Sequence, residues 1–150
     1  MKMNPSIFRE YDIRGIAGED LTEAIMEELG KAYVVYLRRC LRGKEKTNTV
    51  VVGRDGRLTG NAFSRALIDG ITSCGVNVID IGEVGSPVLY YALNVLPIDG
   101  GIMLTASHNP GNYNGMKIAV CHFTIFGEDI QKFREVAEKG AFPASNTPVT

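Results

Sequence analysis

Cysteine and histidine are scarce in this chain, at three and two residues among 150. Cys40, Cys74 and Cys121 are an odd number without close spacing, which excludes a disulfide framework and a cysteine-rich metal knuckle. Cys40 and Cys74 fall at apolar positions of predicted helices, so both are expected as buried free thiols. His108 and His122 alone do not make a zinc site. No Asp-x-Asp run occurs, so clustered carboxylates for a hard cation such as Mg²⁺ are missing. Charge of either sign is in balance, with a formal net charge of −1. That excludes a general electrostatic attraction to nucleic acid or membrane, and any anion site must be a local cluster. No apolar run approaches the roughly 20 residues of a membrane span. Lys2 is not followed by the apolar core of a signal peptide, so a cytoplasmic location is expected. Neither a Gly-x-Gly-x-x-Gly after a strand nor a Gly-x-x-x-x-Gly-Lys-Ser/Thr is present, which removes the dinucleotide and P-loop readings.

Strands and helices alternate along what remains. Phe8 to Gly15 reads as a short strand, and Asp20 with Glu23 as a capping box opening a helix to about Arg42. Its buried stripe is Ile25, Met26, Leu29, Ala32, Tyr33, Tyr36, Leu37 and Cys40. Thr49 to Gly53 is a continuous apolar strand of the parallel kind. A helix from about Thr59 to Gly75, a strand from Val76 to Gly82 and a helix opened by Ser86-Pro87 follow. Then come a strand from Gly101 to Thr105, a return strand near Lys117 to Cys121, and a last helix from Glu128 to about Lys139. The connection through Asn112–Gly115 is too short for a parallel crossover, so one strand is antiparallel. The predicted fold is an α/β three-layer αβα sandwich with a mixed, mostly parallel sheet, occupying residues 1–142. Residues 143–150 read as a linker or tail toward further domains.

Ligands of open α/β sheets bind beyond the carboxyl ends of the strands. There the chain supplies Arg14, then Arg54 and Arg57, then Ser107-His108-Asn109, with Lys117 returning nearby. Cations around a hydroxyl suit a phosphorylated substrate, because they offset its charge and hold the phosphoryl group in line. The frame Thr105-Ala106-Ser107-His108-Asn109 is not the Gly-x-Ser-x-Gly elbow of a hydrolase. Adjacent side chains diverge, so His108 is a poor base for Ser107 in a triad. Spacing alone leaves two readings of Ser107 open: a hydroxyl that caps backbone groups, or one that transfers a group.

Four landmarks in order resemble a known family. Thr105-Ala106-Ser107-His108-Asn109-Pro110 resembles the phosphoserine loop of the α-D-phosphohexomutases, and Phe8 to Gly15 the N-terminal strand of their phosphomannomutase/phosphoglucomutase branch. Val52-Gly53-Arg54-Asp55-Gly56-Arg57 and Asn112-Tyr113-Asn114-Gly115-Met116-Lys117 match the other two. The resemblance implies that Ser107 carries a phosphoryl group, gives it to a hexose phosphate and recovers the other phosphate from the bisphosphorylated sugar. It implies Lys117 as proton shuttle or charge stabiliser, and His108 and Asn109 as positioning the loop and substrate. Tyr11 and Arg14 would line the site, Arg14 beside phosphate. Tyr11 merely packing, and Arg54 merely pairing with a loop acid, stay open as alternatives.

Mg²⁺ is the implied cofactor, with the phosphate on Ser107 as one ligand and the remaining aspartate ligands absent from this chain. Glucose or mannose 1,6-bisphosphate is the implied activator, hexose phosphate the substrate, and the remaining domains of the same enzyme the partners, with no nucleic acid or membrane. The metal, sugar and distal phosphate loops of that family are missing, so the 150 residues are expected to be inactive alone. Alternatives are a stand-alone phosphosugar- or anion-binding module, a serine hydrolase, and a domain of a phosphoglucosamine mutase.

Overall fold

The computed structural model describes residues 2–44, 47–106, 109–140 and 142. In chain order it holds β1 (Ile13–Ile16), α1 (Glu23–Leu41), β2 (Thr49–Arg54), α2 (Gly60–Ser73), β3 (Asn77–Glu83), α3 (Ser86–Val95), β4 (Gly100–Leu104), β5 (Tyr113–Val120), β6 (Phe123–Thr124) and α4 (Glu128–Lys139). The sheet order is β1-β5-β4-β2-β3, with β6 added to β5. β2 pairs in parallel with β3 and β4, while β5 is antiparallel to β4, β1 and β6. One strand, β5, therefore runs against all the others, as its short connection to β4 required.

Strand alternation sends each strand's side chains into one of two cores. Val50, Val52, Ile102, Leu104, Met116 and Ile118 pack under α1, α2 and α4. Val51, Met103 and Ala119 face the other way and meet Leu89, Ala92 and Leu93 of α3. The expected three layers are present, with three helices on one face and one on the other. β4 is buried along its whole length, which explains why it reads as an unbroken apolar run.

Several local expectations are corrected. The first strand starts at Ile13, not Phe8. Pro5–Ile7 form a 3-10 turn capped by Asn4, and the Arg9 N–H bonds the Asp12 carbonyl at 2.9 Å, which bends the chain back before the sheet begins. Ile7 and Phe8 are both buried, and Phe8 packs on Phe133 at a ring distance of 6.3 Å. The cap of α1 is Thr22, whose Oγ1 accepts from the Ile25 N–H at 3.2 Å. Asp20 does not cap the helix: it accepts from the Ile16 N–H at 3.0 Å and from Asn4 Nδ2 at 2.9 Å, tying the β1–α1 turn together. Cys74 is buried as expected, but Cys40 is exposed. It sits one turn past Leu37, the last fully packed residue of α1, on an open groove shared with Tyr36, Asp129 and Lys132. The return strand begins at Tyr113, four residues earlier than expected, because it pairs with β1 as well as β4. The predicted tail, residues 143–150, lies outside the described residues.

The Asp20 carboxyl is held below its ordinary range, chiefly by the Ile16 N–H and then by the Asn4 amide. A carboxylate with a depressed folded value adds stability above its unfolded value of about 3.9 and loses it as pH falls through the folded one. The difference in Tm between the chain and its Asp20→Asn variant should therefore shrink as pH is lowered from about 5 to about 3. Melting followed by circular dichroism at several pH values checks this, and a gap constant with pH would contradict it.

Candidate active site

β1, β2 and β4 end on the same edge of the sheet, and the polar residues singled out in the sequence lie on these strands, on β5, or in the turns next to them. Ile13 is buried under α1, so Arg14, its neighbour in β1, projects from the α3 face. Lys117 does the same: it lies between Met116 and Ile118, both buried on the α1 side. Arg14 pairs in register with Gly115 of β5, two residues from Lys117. The two cations thus stand diagonally across the β1–β5 pair on one face, a separation of about 7–8 Å at the backbone. Gly115 permits this approach, since a Cβ there would lie 2.0 Å from the Ile13 carbonyl oxygen and 3.0 Å from the Arg14 Cα.

Arg14 reaches the loop that follows β4. One Nη hydrogen-bonds Asn109 Oδ1, and the other pairs with Asp12 Oδ2 at 2.5 Å. Asp12 is itself buried, and the Arg14 Nε is a buried donor without an acceptor among the described residues. A guanidinium held from below by a carboxylate, with one donor unanswered, is built for a further acceptor. The ammonium of Lys117 has no ion-pair partner among the described residues.

The loop between β4 and β5 is anchored at both ends. On the entering side, the Thr105 N–H bonds the Gly115 carbonyl at 2.9 Å and Thr105 Oγ1 donates to Asp55 Oδ2 at 2.7 Å. On the leaving side, Arg57 donates to the carbonyls of Pro110 at 2.8 Å, Asn109 at 3.1 Å and Tyr113 at 3.2 Å. Asn114, fully buried, donates to Thr59 Oγ1 at 2.8 Å, which ties β5 to the start of α2.

Of the residues singled out in the sequence, Arg14, Asn109 and Lys117 are brought to this edge. Ser107 and His108 lie outside the described residues, between Ala106, which is buried, and Asn109. Tyr11 precedes β1 and is 68% exposed, so it does not pack into the core. Arg54 is not brought to the loop. It follows Val52 by two, so it projects on the α1–α2 face, where it lines a cavity with Asn61, Ser64 and Arg65 and meets Asp80 at 3.5 Å. The acid that Arg54 meets, Asp80, belongs to β3 and not to a loop. Sequence reasoning did not single out Asp12, Asp55 or Thr105, and it mentioned Arg57 only as one cation of three.

The donors present do not fit Mg²⁺ by themselves. Among the described residues no group of three or more His, Cys, Asp or Glu is placed to hold a metal ion. The two carboxylates nearest the loop, Asp12 and Asp55, are each committed to a guanidinium.

An α/β/α domain that presents one anchored loop beside two cations on a face of its sheet is the class this geometry defines. A family model described as phosphoglucomutase/phosphomannomutase, alpha/beta/alpha domain I, matches residues 5–143, and the chain belongs to that family. It is 48% identical over 134 residues to a phosphomannomutase/phosphoglucomutase of Pseudomonas aeruginosa, covering 89% of this chain and 28% of that one. A phosphomannomutase of Salmonella montevideo is 42% identical over 145 residues, covering 95% of this chain and 30% of that one. Among solved structures, a phosphoglucomutase/phosphomannomutase family protein of Burkholderia thailandensis superposes with a TM-score of 0.87 at 34% identity, covering 99% of this chain and 33% of that chain. The chain thus spans about a third or less of the length of these relatives. No described helix is long and apolar enough to cross a membrane.

Proposed function

We propose that this domain carries the phosphoryl group in a phosphomannomutase/phosphoglucomutase, with Ser107 as its acceptor and donor. The reading is supported above all by one juxtaposition: Arg14 is bonded to Asn109, two residues beyond Ser107, while Lys117 stands diagonally beside it on the same face. In the step proposed, a hydroxyl of a hexose phosphate attacks the phosphorus on Ser107. The sugar O–P bond forms, the Ser107 O–P bond breaks, and the proton of the attacking hydroxyl passes to a base while Ser107 regains one. Transfer from the other end of the sugar 1,6-bisphosphate then returns phosphate to Ser107, so phosphorus and protons balance over the cycle. Arg14 and Lys117 offset the charge on the transferring group, and His108, Asn109 and Tyr11 position loop and substrate. When bound, Mg²⁺ would supply further neutralisation of that charge, but its ligands must come mainly from outside the described residues.

The rest of the enzyme orients the sugar in this proposal, so the 150 residues should not turn over hexose phosphates alone. A coupled assay with mannose 1-phosphate and with glucose 1-phosphate tests that, and a rate above background would overturn it. Mass spectrometry of the chain after incubation with glucose 1,6-bisphosphate tests the carrier role. A gain of about 80 Da, one phosphoryl group, on the peptide holding Ser107 supports it. Labelling of Ser107 by a fluorophosphonate would instead favour a hydrolase.

A further inference from the structure

Three arginines lie near the strand ends, and each has different surroundings. Arg54 faces Asp80 on the far side of the sheet, and Arg14 meets Asn109 and Asp12. The third, Arg57, has a side chain only 10% exposed and directs its donors at protein oxygens. Its Nε pairs with Asp55 Oδ2 at 3.2 Å, Nη1 reaches the Pro110 and Tyr113 carbonyls at 2.8 and 3.2 Å, and Nη2 reaches the Asn109 carbonyl at 3.1 Å. A planar fork of five N–H donors can meet several carbonyls at once, which a single ammonium cannot.

Asp55 completes the arrangement. Its Oδ1 accepts the Arg57 backbone N–H at 3.3 Å, and its Oδ2, besides meeting Arg57 Nε, accepts the Thr105 hydroxyl at 2.7 Å. Its own N–H bonds the Leu104 carbonyl at 3.0 Å, which locks the pair to the end of β4. Thr105 lies two residues before Ser107, and Asn109 two residues after it. One carboxylate–guanidinium pair, contributed by the turn after β2, therefore grips both arms of the loop that holds residues 107 and 108.

We propose that Asp55 and Arg57 are positioning residues that hold Thr105 and Asn109, the neighbours on either side of residues 107 and 108, and so tune the chemistry of a phosphoryl group carried on Ser107. The proposal rests on the reading of Ser107 as the phosphoryl carrier. In it Arg57 acts on the phosphate through the loop, whereas Arg14 acts on it directly.

The test uses the 150-residue chain in two measurements. Hydrogen exchange reads the Asn109 amide, bonded to the Ala106 carbonyl, and the Tyr113 amide, bonded to the Pro110 carbonyl. ³¹P NMR reads the titration of a phosphate placed on Ser107 during translation. In the Arg57→Ala variant both amides should exchange about tenfold faster or more, as loss of charge-assisted bonds at one loop permits local opening. Helix amides should stay within about twofold, and the phosphate should titrate closer to free phosphoserine. Arg57→Lys should recover little of either change, and Asp55→Asn should free the Thr105 side as well. Unchanged loop exchange in Arg57→Ala would overturn the proposal. So would a phosphate titration that moves without any change in exchange, which would make Arg57 a direct phosphate ligand. Uniformly faster exchange in every helix would also overturn it, leaving only general destabilisation. If the loop amides respond but the phosphate titrates like free phosphoserine in the unmutated chain, the clamp stands and the carrier reading falls.

Discussion

Replacing Gly70 with alanine should lower the Tm by about 6–12 °C, a large loss for a single added methyl group. α1 and α2 cross backbone against backbone. A Cβ on Gly70 would lie 2.1 Å from the Glu27 carbonyl oxygen and 3.0 Å from its carbonyl carbon. The contact is reciprocal, because a Cβ on Gly30 would lie 2.4 Å from the Leu67 carbonyl oxygen. No flexible side chain can move aside to relieve either clash, so one helix must shift bodily. The rows that separate are those holding Met26, Leu29 and Tyr33 against Leu67 and Ile71, all fully buried. Such overpacking costs about 1–3 kcal/mol, and with backbone on both sides the upper end applies, a sizeable part of the roughly 5–15 kcal/mol that holds a typical domain together. Alanine in place of an ordinary helical glycine would stabilise by up to about 1 kcal/mol, so the sign of the change separates the two cases. Thermal and urea unfolding of the Gly70→Ala and Gly30→Ala chains provide the comparison. A Tm equal to or above that of the parent would show that the helices do not approach this closely.

The second large effect is chemical. In the longer enzyme that this account places around the domain, Ser107→Ala should reduce turnover by about a thousandfold or more, because no other group takes over the phosphoryl group. Stability should change little, since the described anchors of the loop are Thr105, Asp55, Arg57 and Asn109. The two outcomes together matter: loss of rate with an unchanged Tm identifies a chemical role, and loss of both does not. A variant that keeps the parent rate would end the carrier proposal. Arg14→Gln should also slow turnover, but it leaves the acceptor in place and so should cost less.

The layered fold was legible because its signals are local. Val50–Val52 and Ile102–Leu104 are apolar runs that only a doubly covered strand produces, and the brevity of the Asn112–Gly115 connection dictated the reversed strand. The start of β1 was not legible. Phe8 to Asp12 has strand-like composition, but the Asn4-capped turn at Pro5 and the packing of Phe8 on Phe133 of α4 override it, and the second of these is distant in sequence. Asp20 shows the same limit in another form. It has the chemistry of a cap, and the competing donor, the Ile16 N–H, comes within reach only when the turn closes. Cys40 continued the three–four spacing of α1 correctly, yet spacing does not say where the helix's cover ends.

At the candidate site, residue types were easier to read than their partners. Arg14, Asn109 and Lys117 were singled out as chemistry, and they share one edge. Arg54 and Arg57 looked equivalent in Arg54-Asp55-Gly56-Arg57, yet Arg54 meets Asp80 of β3 while Arg57 bonds the loop between β4 and β5. The dual grip of Asp55 and Arg57 depends on carbonyl oxygens, which every residue carries, so composition cannot announce it.

The most direct measurement is a ³¹P NMR titration of the chain bearing phosphate on Ser107, with Arg14→Gln and Lys117→Gln beside it. Free phosphoserine loses its second proton near pH 6, and two neighbouring cations favour the dianion. The account predicts a midpoint below that value, moved upward by either substitution. A midpoint at or above that of free phosphoserine, indifferent to both substitutions, would contradict it.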